Sequence, residues 1–227
     1  MKPNHRRAVF ALLLLAPVPS LGVIAAMVVA PGPVGHAIFL VAKIWLLVFP
    51  AAWYLVVEKG RPSWSPPHRG GLATGALSGV ALALMIVVGA VLVGAPKMDV
   101  SLLESKVQEM GLGSPLPYLA GAAAWTLVNS LIEEYVYRWF VLRQCEALLA
   151  GPVAVAASAA VFTAHHIIAV GQYLDPLLAV VASGGVFGGG LVWAWLYRRY
   201  RSIWPGWISH VFADIAVFGT GGWLLFW

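Results

Sequence analysis

Seven ionisable residues stand in stretches otherwise built of apolar side chains: Glu133, Glu134 and Arg138, then His165 and His166, then His210 and Asp214. Carboxylates and imidazoles are the groups that move protons, orient water and hold metals. Helical spacing sorts the first three. Glu134 and Arg138 are four apart and share a face in the order that favours an ion pair. Glu133 is turned about 100° away, onto the face of Asn129 and Tyr137. One carboxylate thus has a counter-ion on its own helix and its neighbour has none. His210 and Asp214 are also four apart, as are Phe162 and His166. A buried histidine bonded to a carbonyl, or a purely structural Glu134–Arg138 pair, is the plain explanation of any one of these groups. Three separate runs carrying paired polar groups make that explanation recur three times.

The runs themselves decide the setting. Of 227 residues, 61% are hydrophobic and 10% charged, and mean hydropathy is +0.85. A soluble domain carries about 25% charged residues. The composition therefore gives an all-α, polytopic transmembrane bundle and excludes a soluble enzyme, a nucleic-acid-binding domain and a disordered chain. Seven runs are long enough to span a bilayer, near 8–30, 34–57, 71–95, 117–146, 152–171, 176–199 and 204–227. Residues 1–227 read as a single transmembrane domain. The apolar run after Arg7 continues through Ala30, so it is expected to be a retained span and not a cleaved signal peptide. In hydrocarbon a charge costs ~2.5–3.5 kcal/mol even on a lenient scale, which makes the embedded polar residues functional candidates. Lys43, in the second run, is set aside as able to snorkel.

Net charge is +5 and the isoelectric point about 9.6, but the cations lie between spans and act as topology signals. Lys2, Arg6, Arg7, Lys59, Arg61, Arg69, Arg138, Arg143, Arg198, Arg199 and Arg201 fall on one side; Lys43, Lys97 and Lys106 fall on the other. The N-terminus is then expected in the cytoplasm and the C-terminus outside. Counting along the helices at ~1.5 Å per residue from the cytoplasmic ends puts Glu133 ~20 Å, His166 ~21 Å and Asp214 ~15 Å deep, compatible with one layer. Between spans three and four, Asp99–Met110 is too polar to cross. Ser101 with Glu104 fits a capping box, and Val100, Leu103, Val107 and Met110 share a face, as in a short interfacial helix. Gly184 with Gly188 and Gly185 with Gly189 are spaced for close helix packing. The single cysteine, Cys145, excludes an internal disulfide and has no marked histidine partner for thiol chemistry.

Glu133-Glu134-Tyr-Val-Tyr-Arg138 fits EExxxR, Phe162-Thr-Ala-His-His166 fits FxxxH, and His210-Val-Phe-Ala-Asp214 fits HxxxN/D. In this order the three motifs resemble those of the CPBP family of CAAX proteases and bacteriocin-processing enzymes. They cover 133–214, with a protease core expected over 115–220, while the N-terminal third carries no such resemblance. The resemblance implies an intramembrane endopeptidase with Glu133, His166, His210 and Asp214 as catalytic residues and Glu134 and Arg138 in support. It also implies a membrane-anchored or lipidated protein substrate. The short Ala/Gly/Val-rich chain fits a bacterial relative in the inner (plasma) membrane, and some such relatives remove C-terminal sorting tags. Two departures from the pattern stand out. Asp214 occupies a position that is Asn in the best-understood members, and Trp139 stands where many have Gly.

The expected chemistry is peptide hydrolysis with Glu133 as general base, His166 sharing the water and His210 donating to the oxyanion, with Asn129 and Tyr137 lining the access. An ionised Asp214 accepts only, so it must orient His210 or be protonated. No cofactor is required. Zinc is the alternative, held by Glu133, His166 and His210 or with Asp214 as the carboxylate, although no HExxH helix is present. Two other classes fit the composition: a non-proteolytic scaffold or immunity factor, and a proton-coupled transporter. The absence of visible repeats argues against transport.

Overall fold

The computed structural model describes residues 3–227, so Lys2, one of the topology signals, lies outside the described residues. Helices account for the fold, and no strand occurs among the described residues. They are α1 (Asn4–Val29), α2 (Pro33–Val57), α3 (Leu72–Gly94), α4 (Val100–Glu109), α5 (115–148), α6 (Gly151–Val170), α7 (Pro176–Tyr200) and α8 (Trp204–Phe226). Proline opens α2 and α7 and sits in the first turns of α5, α6 and α8, where its missing N–H has no intrahelical partner to lose. Asp175 caps α7, accepting from the amides of Leu177 (2.9 Å) and Leu178 (3.2 Å).

Six helices are both long and apolar enough to cross a membrane: α1, α2, α3, α6, α7 and α8. The seventh expected span, α5, is long enough but carries Glu133, Glu134, Arg138 and Arg143 along its second half, which removes it on composition. It is the helix that holds the polar site. Its course is continuous but widens into π turns at Trp125–Asn129 and Glu134–Val141, on either side of Glu133. Such turns are frequent at functional sites.

The core gathers around the second half of α5. Val136, Phe140, Val141 and Leu142 are fully buried there with Ala11 and Leu15 of α1, Phe162 of α6 and Leu196 of α7. At the same end Glu146 pairs with Arg201 (2.6 Å) and Arg198 (3.6 Å), and Arg143 with Glu58 (3.0 Å). The ends of α2, α5 and α7 therefore meet on one side, as the charge pattern requires. Arg138 is buried to 1% and belongs to the site; it carries no topology signal.

Two local expectations are corrected. The α4 cap is Asp99, which accepts from Ser101 Oγ (2.6 Å) and the Leu102 amide (3.1 Å); Ser101 with Glu104 does not form a capping box. A carboxylate placed before the helix is the stronger acceptor. Of the expected α4 face, Val107 is buried and Met110 is exposed. The Gly184/Gly188 and Gly185/Gly189 pairs do not form a helix seam: a Cβ at Gly184, Gly185 or Gly188 would meet nothing within 4 Å, and Gly189 faces only Trp193 of its own helix. The close seam is between α3 and α8, where Gly75 abuts the Pro205 carbonyl and Gly79 lies against Ser209 and Phe212.

Candidate active site

Glu133 sits mid-way along α5, 7% exposed. Its Oε1 accepts from Asn129 Nδ2 one turn earlier at 2.8 Å, and its Oε2 lies 3.6 Å from His210 Nε2 on α8. His210 Nδ1 is 3.2 Å from Glu134 Oε1, and its Nε2 is 3.7 Å from Asp214 Oδ1. The imidazole thus bridges both carboxylates of the Glu-Glu pair and reaches the aspartate of its own helix. Stacking fixes its plane, since the Trp193 indole of α7 lies parallel at 3.7 Å. Trp193 is in turn held by its Nε1, which donates to Ser209 Oγ at 3.1 Å.

Glu134 and Arg138 are wholly buried, with Arg138 Nε 3.4 Å from Glu134 Oε1. The guanidinium lies over the Phe162 ring at 4.3 Å and near Trp193 at 5.1 Å. Glu134 reaches α8 because residue 206 is glycine: a Cβ there would run into Oε2 of Glu134. The pair therefore ties α5 to α8 and, through the aromatic faces, to α6 and α7.

From α6, His165 and His166 enter with ring centroids 4.0 Å apart. His166 Nδ1 is 3.0 Å from the Phe162 carbonyl, and His165 Nδ1 is 3.2 Å from the Tyr137 hydroxyl. Tyr137 also lies parallel to His165. One ring nitrogen of each histidine is thereby engaged and the other is left free. Ligand atoms of Glu133, His165 and His166 all lie within 4.8 Å of one another. This compact set takes His165 where the sequence reading had placed His210.

A cavity of about 20 Å³ lies against Glu133, Tyr137, His165 and Lys43, closed by apolar residues of α1, α2 and α5. That volume holds about one water, and the four polar groups are enough to bind it. Lys43, from α2, does not snorkel: its Nζ donates to Asn129 Oδ1 at 2.6 Å. A larger apolar groove of about 440 Å³ runs between the first half of α5 and the second half of α8, lined by Thr126, Leu127, Val211 and Ile215 among others. Val211 and Ile215 are the chain neighbours of His210 and Asp214.

All the sequence-predicted residues, Glu133, His166, His210 and Asp214 with Glu134, Arg138, Asn129 and Tyr137, are thus brought together around the Glu133–Glu134 pair. Residues 115–216 match the family model of Rce1-like type II CAAX prenyl endopeptidases. The match agrees with the resemblance read from the three motifs, all of which lie inside it. It supports a CAAX-type intramembrane protease acting on a protein substrate in the bilayer. No curated protein and no solved structure matches the chain. The Rce1-like segment supplies every residue named from the motifs, but not Lys43. Sequence reasoning passed over Lys43, gave His165 no role, and had no reason to single out Trp193. The one signal for Lys43 was a lysine deep within an apolar run.

Proposed function

We propose that the chain is an intramembrane endopeptidase in which Glu133 is the general base, and that 115–220 is its protease core. The supporting observation is the Glu133 carboxylate itself, held on one oxygen by Asn129, turned by the other toward His210, and bordering a water-sized cavity. Water in that cavity gives a proton to Glu133 as its oxygen adds to the scissile carbonyl carbon. The carbonyl oxygen takes up negative charge and accepts from His210 Nε2–H. Collapse breaks the C–N bond, and the proton on Glu133 passes to the leaving amine. A donor so placed contributes about 2.7–4 kcal/mol to such a step.

His165 and Tyr137 border that water with Glu133, while His166, anchored through Nδ1, brings its other ring nitrogen toward the same carboxylate. Asp214 acts on His210 and not on the oxyanion, since a carboxylate only accepts. Glu134 holds the opposite ring nitrogen, Tyr137 borders the water, and Asn129 holds Glu133. The substrate is a membrane-anchored or lipidated protein. The apolar groove lined by Val211 and Ile215, the chain neighbours of His210 and Asp214, suits a hydrophobic segment, and removal of a C-terminal sorting tag fits an active layer on the side away from the cations. The site then works in the plasma membrane with the N-terminus in the cytoplasm.

The donor set also fits a metal. Glu133, His165 and His166 offer one carboxylate and two imidazoles, each imidazole already oriented through its other nitrogen. An ion bound there supplies Lewis acidity to the scissile carbonyl.

Terminal-peptide proteomics on membranes with wild-type protein, without it, and with Glu133→Gln tests the reading. The same precursors should accumulate in the null and in Glu133→Gln at equal protein level. If Glu133→Gln clears the null's precursors at the wild-type rate, the reading fails and the scaffold class replaces it. Chelation of isolated membranes should leave turnover unchanged under the glutamate mechanism and abolish it if an ion is needed.

A further inference from the structure

Resting on that protease reading, we propose that Lys43 is a positioning residue which orients Glu133 through the Asn129 amide. Lys43 lies mid-way along α2, outside both the motifs and the matched segment, yet its ammonium ends on Asn129 Oδ1 at 2.6 Å. The same amide gives its Nδ2 to Glu133 Oε1 at 2.8 Å. An ammonium has donors only and an ionised carboxylate has acceptors only. Asn129 carries one group of each kind, so with Lys43 on one side and Glu133 on the other only one orientation of the amide satisfies both. A cation on its oxygen also polarises the amide and strengthens the N–H it offers. The carboxylate is thereby held at Oε1, and Oε2 is presented to His210.

Lys43 is itself caged, with Nζ 5.4 Å from the Phe39 ring and 5.7 Å from Trp125, and it borders the water-sized cavity beside Glu133. Without it the amide is free to turn over and face its oxygen to the carboxylate. The second helix would then complete a site otherwise built from α5, α6, α7 and α8.

The test measures half-lives of the precursors that accumulate in cells without the protein, by pulse–chase, against protein level. Lys43→Met should lengthen them about 10- to 100-fold, the weight of one hydrogen bond to a charged group. Lys43→Arg should recover most of the loss. Asn129→Asp keeps the tether to Lys43, now as an ion pair, but cannot donate to Glu133; it should be as slow as Lys43→Met at normal protein level. A wild-type half-life in Asn129→Asp, or in folded Lys43→Met, overturns the inference. Glu133→Gln separates the two readings: if it too matches wild type the protease reading has failed, whereas if it alone is inactive only the role of Lys43 is lost.

Discussion

A buried arginine facing a buried glutamate is stable only while both are present. Glu134 and Arg138 are 0% and 1% exposed, and Glu134 also faces His210. Removing the cation leaves an uncompensated charge in the core, typically at a cost of about 3–5 kcal/mol. Arg138→Met should therefore unfold at clearly lower temperature in detergent, and Arg138→Met with Glu134→Gln should recover most of that loss. Trp193 acts differently, by holding the plane of His210. Trp193→Leu should slow precursor cleavage up to about tenfold, the worth of one aromatic stack, with protein level little changed. These residues show what spacing reveals. Glu134–Arg138 and His210–Asp214 lie four apart on single helices, so their pairing was legible. Lys43 reaching Asn129 and Trp193 reaching His210 are contacts between helices, and no periodicity encodes which helices meet.

At the scale of elements, all the long helices were legible from apolar run length, and their observed ends fall within a few residues of the expected ones. The seam that brings α8 to the site was not. Small-residue spacing marks a face able to pack closely, but several helices here have one, and only contact selects among them. A Cβ at Gly79 would come within 2.8 Å of the Ser209 Cα on α8, one residue before His210. Gly79→Val should cost about 1–3 kcal/mol by overpacking and should displace His210, lowering thermal stability and cleavage together. Gly184→Val, over open space, should change stability by less than about 0.5 kcal/mol. The α4 cap adds a pH test outside the spans. The Ser101 hydroxyl, then the Leu102 amide, holds the Asp99 carboxyl below its ordinary value. A depressed carboxyl stabilises fully above its unfolded value and loses that effect as pH falls through the folded one. Amide exchange at Leu102 and Leu103 should thus accelerate, relative to the intrinsic rate, only below the usual carboxylate range. Asp99→Asn should remove that dependence.

For the molecule as a whole, the match over 115–216 leaves out helices that the site uses. The first half of α1 packs on the last turns of α5, α2 brings Lys43, and α3 forms the glycine seam with α8. An isolated α5–α8 fragment would uncover the last turns of α5, on which α1 packs, and lose the seam that places His210. Yet the link between the two parts is slight. Gly111 has a positive φ of 74° at a turn after α4, and a Cβ there meets nothing within 4 Å. Membrane helices insert singly and associate afterwards through packing and polar contacts, so continuity at this turn is dispensable if the interfaces survive. Residues 112–227 expressed alone should accumulate poorly and leave precursors uncut. Co-expression with residues 1–111 should restore both level and cleavage, and the same co-expression carrying Lys43→Met on the first fragment should restore level with cleavage slowed as in the intact Lys43→Met chain. Activity from 112–227 alone would mean that the first three spans only shield the core from lipid.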